Sequence, residues 1–183
     1  FTPQFTLGMT ATPDKRDDNM EGRNIYEIFH HNIAYEIRLQ QAMEEDLLCP
    51  FHYFGITDLQ TVSDAGKSHE EQLEHFRYLT CDDRVNYVMK QANYFGYSGD
   101  RVKGLIFCSR IDEARELSRK FNERGWRTLV LSGADSEEAR AEAIERLVMD
   151  VTSEEDDYLD YLITVDIFSE GTDIVEVNQV IML

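Results

Sequence analysis

From residue 103 onward, short uninterrupted apolar runs alternate with stretches whose apolar residues recur every three to four positions, and this alternation leaves little choice of fold. Lys103-Gly104-Leu105-Ile106-Phe107-Cys108 reads as a strand buried on both faces. Ile111, Ala114, Leu117 and Phe121 follow at helical spacing. Ser109 is the expected N-cap of that helix, with Asp112 as its capping-box partner, and Gly125 is the residue just past its end. Thr128–Leu131 is the next strand. Ser136 caps a second helix that turns Ala139, Ala143, Ile144, Leu147 and Val148 inward. Residues 161–165 and 177–183 supply two more strands. Strands separated by helices of this length predict βαβ units with right-handed crossovers. The class is α/β, a parallel sheet flanked by helices.

The first half is less regular. Residues 5–9, 34–39 and 51–56 are expected as strands, and residues 25–30 and 40–48 as helices, the second stopped by Pro50. Residues 58–67 form a polar loop, and 69–78 and 83–95 two further helices. The boundary is placed after Leu48. Residues 1–48 are then the trailing part of one domain and 49–183 most of another. A strand at 5–9 without its own sheet is expected to be poorly ordered or to self-associate with a second copy, because an open edge seeks a partner.

Composition narrows the function classes. Hydrophobic residues make up 42% and charged residues 30%, as in ordinary soluble domains. No apolar stretch is long enough to span a bilayer, so no membrane role is expected. Cys49, Cys81 and Cys108 are too far apart for ligand spacing, so no metal site is predicted. Cys108 lies in an apolar run and reads as a reduced core thiol, which fits a cytoplasmic protein. The net charge of −18 argues at first against nucleic-acid binding, but it is segregated, so one face can still meet phosphates while the rest repels them. Residues 135–160 hold eleven acids and two bases, whereas residues 100–127 hold eight bases and five acids.

Three segments carry chemistry. Leu7-Gly8-Met9-Thr10-Ala11-Thr12-Pro13 brings two hydroxyls, Thr10 and Thr12, to the end of an apolar run. A hydroxyl both donates and accepts, so it can link a carboxylate to a phosphate; the plain alternative is a turn. The strand ending at Cys108 delivers Ser109 and Arg110 to a helix N-terminus, where backbone N–H groups favour anions; the plain alternative is capping. In the segment from Thr164 to Ile174, Gly171 lets backbone approach a ligand closely and Asp173 can accept from a ribose hydroxyl. Trp126 reads as a packing residue. Gly66-Lys67-Ser68 suggests a phosphate loop, but Thr61 stands where its earlier glycine belongs.

In this order, Thr-Ala-Thr-Pro, a strand ending Phe-Cys-Ser, Leu131-Ser132-Gly133 with Arg140 beyond it, and Asp166-x-x-x-Glu170-Gly171-x-Asp173-Ile174 resemble motifs III, IV, IVa and V of superfamily 2 DEAD/DEAH-box helicases. The likeness is closest to the motor subunits of type I and type III restriction systems. It implies a RecA-like, P-loop NTPase-type second helicase domain, preceded by the end of the first. It also implies roles. Thr10 and Thr12 would couple the ATP site to the nucleic-acid track. Ser109, Arg110, Gly133, Val165 and Asp166 would meet the nucleic-acid backbone, and Gly171 and Asp173 would face the nucleotide. Arg140 would order its own surroundings. Val165 stands where many relatives have Thr, and Val175 where Pro is common. The whole protein would use ATP and Mg2+ and act on nucleic acid, DNA before RNA. These 183 residues hold no Walker A loop, Asp-Glu-x-His motif or arginine-finger motif, so they are expected to hydrolyse nothing and to hold no nucleotide by themselves. Two other readings stand beside this one: a double-strand DNA translocase, and a non-catalytic α/β protein-interaction module.

Overall fold

The computed structural model describes residues 4–10, 25–58, 76–153, 155–165, 167–168 and 174–183. The chain divides into two units, Phe1–Ile56 and Thr57–Leu183.

Among its described residues the first unit has two short helices, α1 (Ile25–Ile28) and α2 (Leu39–Glu44). The strands expected at 5–9, 34–39 and 51–56 do not form among the described residues. The reason is physical. A strand needs a neighbour to take its N–H and C=O groups, and none of these segments lies beside one. Phe5, Leu7 and Met9 stay exposed, as do Phe51, Tyr53 and Phe54. Of the first unit's described residues, only Ala42 belongs to a buried core.

The second unit is the α/β structure read from the sequence. Among its described residues it has the helices α3 (Asp82–Phe95), α4 (Ile111–Glu123) and α5 (Glu137–Val148), besides the helical residues 76–79. Its strands are β1 (Gly104–Phe107), β2 (Thr128–Leu131), β3 (Tyr161–Thr164) and β4 (Gln179–Met182). They form a parallel sheet in the order β2-β3-β1-β4. Helix α4 carries the chain from β1 past β3 to β2, α5 returns it to β3, and β4 pairs on the other side of β1. The expected loop at 58–67 and helix at 69–78 fall mostly outside the described residues; within that helix, residues 76–79 are helical.

Alternation along the strands feeds two cores. Ile106, Tyr161 and Ile163 pack with Val85 and Val88 of α3 and Ala114, Leu117 and Phe121 of α4. Leu105 and Leu162 pack on the other face with Ala143 and Leu147 of α5. Each fully buried Leu or Phe contributes about 1.5–3 kcal/mol. Gly104 has a specific cause. A β-carbon there would overlap the ring of Tyr161 on the adjacent strand. That ring is fixed by stacking on Trp126 at 4.5 Å and by its hydroxyl's 2.5 Å bond to Gln179 Oε1. Trp126 is thus a packing residue, sandwiched between Tyr161 and Phe121.

The helix ends follow local chemistry, with one correction. Gly125, at φ 94°, ends α4 in a Schellman motif. Trp126 N–H donates to Phe121 O at 3.1 Å and Gly125 N–H to Asn122 O at 3.1 Å. Ser136 caps α5 by accepting from Ala139 N–H at 3.2 Å. Ser109 does not cap α4. The N-cap position falls on Arg110, which makes no side-chain cap bond, and Ser109 stands one residue earlier. Its hydroxyl donates to Glu113 Oε2 at 3.3 Å instead. Asp112 likewise bonds the neighbouring Glu113 N–H rather than closing a capping box.

Candidate functional site

Because every strand is parallel, all four carboxyl ends lie along one edge, with Phe107, Leu131, Thr164 and Met182 at one register level. Ligands of open α/β sheets bind outside this edge. The loop after β1 carries Ser109 and Arg110, that after β2 carries Ser132 and Gly133, and that after β3 begins at Val165. Since β3 lies between β2 and β1, the three loops are neighbours. The fold therefore brings Ser109, Arg110, Gly133 and Val165 to one place. Thr10 is exposed in the first unit. Thr12, Asp166, Gly171 and Asp173, like Gly66, Lys67 and Ser68, lie outside the described residues.

Arg110 forks onto Asp112, Nε to Oδ1 at 3.0 Å and Nη2 to Oδ2 at 2.8 Å. These bonds hold the Asp112 carboxyl below its ordinary 3.8, and its bond from the Glu113 N–H adds to the effect. The fork fixes the guanidinium at the start of α4, with half its surface still in solvent.

The Ser132–Gly133 turn is held from both sides. Asp135 Oδ2 accepts from Ser132 N–H at 2.7 Å and from its hydroxyl at 3.0 Å, and those two bonds lower its pKa. Arg140 Nη2 donates to the carbonyls of Ser132 and Gly133 at 3.2 and 3.0 Å. Arg140 thus orders the turn, the part expected of it. Gly133 has neither a left-handed φ nor any atom within 4 Å of an added β-carbon. Among the described residues nothing requires glycine there.

Val165 points inward. Its side chain is buried in the core shared with α3 and α4, and its N–H reaches Leu131 O at 3.4 Å. Only its backbone is at the edge. The preceding Thr164 is wholly buried, and its Oγ1 has no hydrogen-bond partner.

Sequence reasoning missed a buried charge cluster beneath the β1 loop. Arg84 of α3 donates Nε to Asp58 Oδ2 at 2.8 Å and Nη1 to Leu79 O at 2.8 Å. The same Nη1 lies 3.7 Å from Glu113 Oε1. Arg84 is 3% exposed and Glu113 1%. Burial raises the Glu113 carboxyl above its ordinary 4.5, against the lowering effects of Arg84 and Ser109. Burial also pushes the neighbouring Cys108 thiol up to about 12, so this cysteine is inert. One signal was available. Glu113 stands four residues before Leu117 and eight before Phe121, so a carboxylate occupies the apolar stripe of α4.

The basic excess of residues 100–127 is spent largely within the unit. Arg101 and Lys103 donate to backbone carbonyls at the end of α5. Arg119 pairs with Glu116 and Glu123, and both Lys120 and Arg124 pair with Asp82. Arg127 lies 3.9 Å over the Tyr158 ring and donates to Asp156 O. Among the described residues no group of His, Cys, Asp or Glu is arranged to hold a metal ion, and no helix is long and apolar enough to cross a membrane.

Comparison with known proteins agrees with this architecture. The family model described as "Helicase conserved C-terminal domain" matches residues 83–183, from the start of α3 to the last residue. The ATP-dependent RNA helicase SrmB of Haemophilus influenzae is 27% identical over 139 residues. The match covers 76% of this chain and 30% of that protein, so the chain spans about a third of its relative's length. Similarity to restriction-system motors is not among these findings.

Proposed function

We propose, from the premise that the chain belongs to the helicase conserved C-terminal domain family, that it is the second RecA-like half of an ATP-driven motor and grips a nucleic-acid strand along the carboxyl edge of its sheet. The observation that carries this reading is the adjacency of the Ser109–Arg110, Ser132–Gly133 and Val165 loops on that edge. Arg110, held by Asp112, keeps half its side-chain surface in solvent and brings positive charge to the edge where a phosphate would lie. The turn at Gly133 is open on its outer side, so backbone approaches there without a side chain in the way. The Ser109 hydroxyl donates its hydrogen bond to Glu113, so phosphate contact at this loop falls to Arg110 and to backbone N–H groups at the start of α4.

The nucleotide would lie between this domain and its partner domain. Asp173 would accept from the ribose and Gly171 would admit the phosphates, while Thr10 and Thr12 would connect the ATP site to the track. ATP and Mg2+ are expected of the whole protein, and cleft closure and reopening would move the grip along the strand. Residues 1–183 by themselves would turn over no ATP. The resemblance to restriction motors favours DNA, and the name of the matched relative favours RNA.

The test uses the full-length protein. Arg110→Ala should weaken nucleic-acid binding and lower the slope of log affinity against log salt by about one phosphate contact. Asp173→Ala should impair ATP binding or turnover. Titration with single- and double-stranded DNA and with RNA, together with a strand-displacement assay, identifies the track and separates unwinding from double-strand translocation. Nucleic-acid affinity indifferent to both salt and Arg110 would sink the proposal and favour a protein-interaction module.

A further inference from the structure

Burying an ion pair removes two charges from water, and the mutual attraction commonly only balances that loss. The Arg84–Glu113 pair is a poor stability device even by that standard. Its closest approach is 3.7 Å, and Glu113 Oε1 accepts no hydrogen bond. The other oxygen is the informative one. Glu113 Oε2 takes the Ser109 hydroxyl across the entry of a helix whose N-cap residue makes no side-chain cap bond. Behind it, Arg84 is seated by the Leu79 carbonyl and by Asp58, which also accepts from Tyr78 Oη at 3.1 Å. The adjacent Thr57 O accepts from Tyr87 of α3 at 3.0 Å.

We infer that Glu113, seated by Arg84 and Asp58, is a positioning residue that sets the Ser109–Arg110 loop at the carboxyl edge for the incoming strand. The inference rests on the reading of that edge as a nucleic-acid grip. Glu113 touches no substrate; it acts through Ser109. The brace starts at residues 57–58, where the second unit starts, and ends under the loop that carries Arg110.

The experiment measures nucleic-acid affinity in the full-length protein, together with the ATP KM and the kcat at saturating nucleic acid, for four variants. Glu113→Ala should weaken nucleic-acid binding about tenfold, the scale on which a hydrogen bond to a charged group counts, and leave the ATP KM and saturated kcat near wild type. Glu113→Gln keeps an acceptor for Ser109 and should restore affinity to within about twofold. Val88→Ala, in the same core but with no carboxylate to offer Ser109, controls for lost stability. It should lower the thermal midpoint without the tenfold loss. Arg110→Ala reports on the grip itself. If Arg110→Ala weakens binding while Glu113→Ala and Val88→Ala behave alike at matched stability, the brace is refuted and the grip stands. If Arg110→Ala leaves binding unchanged, the grip is refuted and the inference falls with it.

Discussion

Glu113 and Asp135 flank the same sheet edge yet are shifted in opposite directions, because one is desolvated and the other is hydrogen-bonded. Asp135 takes two bonds from Ser132, so its folded pKa lies below 3.8. Its stabilisation is complete above that value and is lost as pH falls through the lower folded one. Glu113 runs the other way. Burial holds its proton to a higher pH in the fold, so the folded state binds more protons than the unfolded one above 4.5. Its contribution is complete below 4.5 and declines as pH rises through the folded value. Glutamine imitates the protonated form and cannot ionise. The thermal midpoint of wild type relative to Glu113→Gln should therefore be constant below pH 4.5 and move downward as pH rises. A difference that stays flat, or moves upward, would show that Arg84 and Ser109 outweigh desolvation. None of this was legible in the sequence beyond the oddity of an acid on an apolar stripe. Burial is a property of what packs on top, and α3 comes from elsewhere in the chain.

At the scale of elements, one arginine does the work that helix-end residues usually share. Arg101 Nη2 donates to the carbonyls of Leu147 and Met149 at 2.5 and 2.8 Å, and Nη1 to those of Leu159 and Val102 at 2.9 and 3.1 Å. Lys103 Nζ adds the Val148 carbonyl at 2.6 Å. Together they satisfy the last carbonyls of α5 and place positive charge at its negative end. Arg101→Ala leaves those carbonyls without this donor and should cost about 1–3 kcal/mol, read as a lower urea midpoint at unchanged m-value. Arg101→Lys should recover only part, because one ammonium cannot span four carbonyls. A loss below about 0.5 kcal/mol would mean that water replaces the guanidinium. The basic excess of residues 100–127 did not reveal what Arg101 and Lys103 do, because net charge by segment says nothing about where carbonyls sit. The α/β alternation succeeded because its cues are local: apolar runs, the Ser136 cap and the Gly125 stop. The strands expected at 5–9, 34–39 and 51–56 failed for the opposite reason, since a neighbouring strand is not a local property.

For the whole molecule, the question is where the second unit begins. The sequence put the start at residue 49, on the strength of a strand at 51–56; the contacts divide the chain after Ile56. The two placements differ in what residues 49–56 contribute. Phe51, Tyr53, Phe54 and Ile56 are exposed and make no ladder, so removing them takes nothing from either core. Thr57 and Asp58 are different. Tyr87 donates to the first, and Arg84 and Tyr78 donate to the second. A truncation series locates the boundary energetically. Chains starting at 49 and at 57 should unfold at the same urea midpoint. A chain starting at 59 takes away the carboxylate that seats a buried guanidinium, and should lose about 1–3 kcal/mol. Returning aspartate at 58 should return the stability. If the drop came between 49 and 57, residues 51–56 would be part of the core after all, and the brace beneath Ser109 would lose its anchor at the unit's entry. A drop only at 59 ties the fold's first fixed point to the guanidinium beneath the β1 loop.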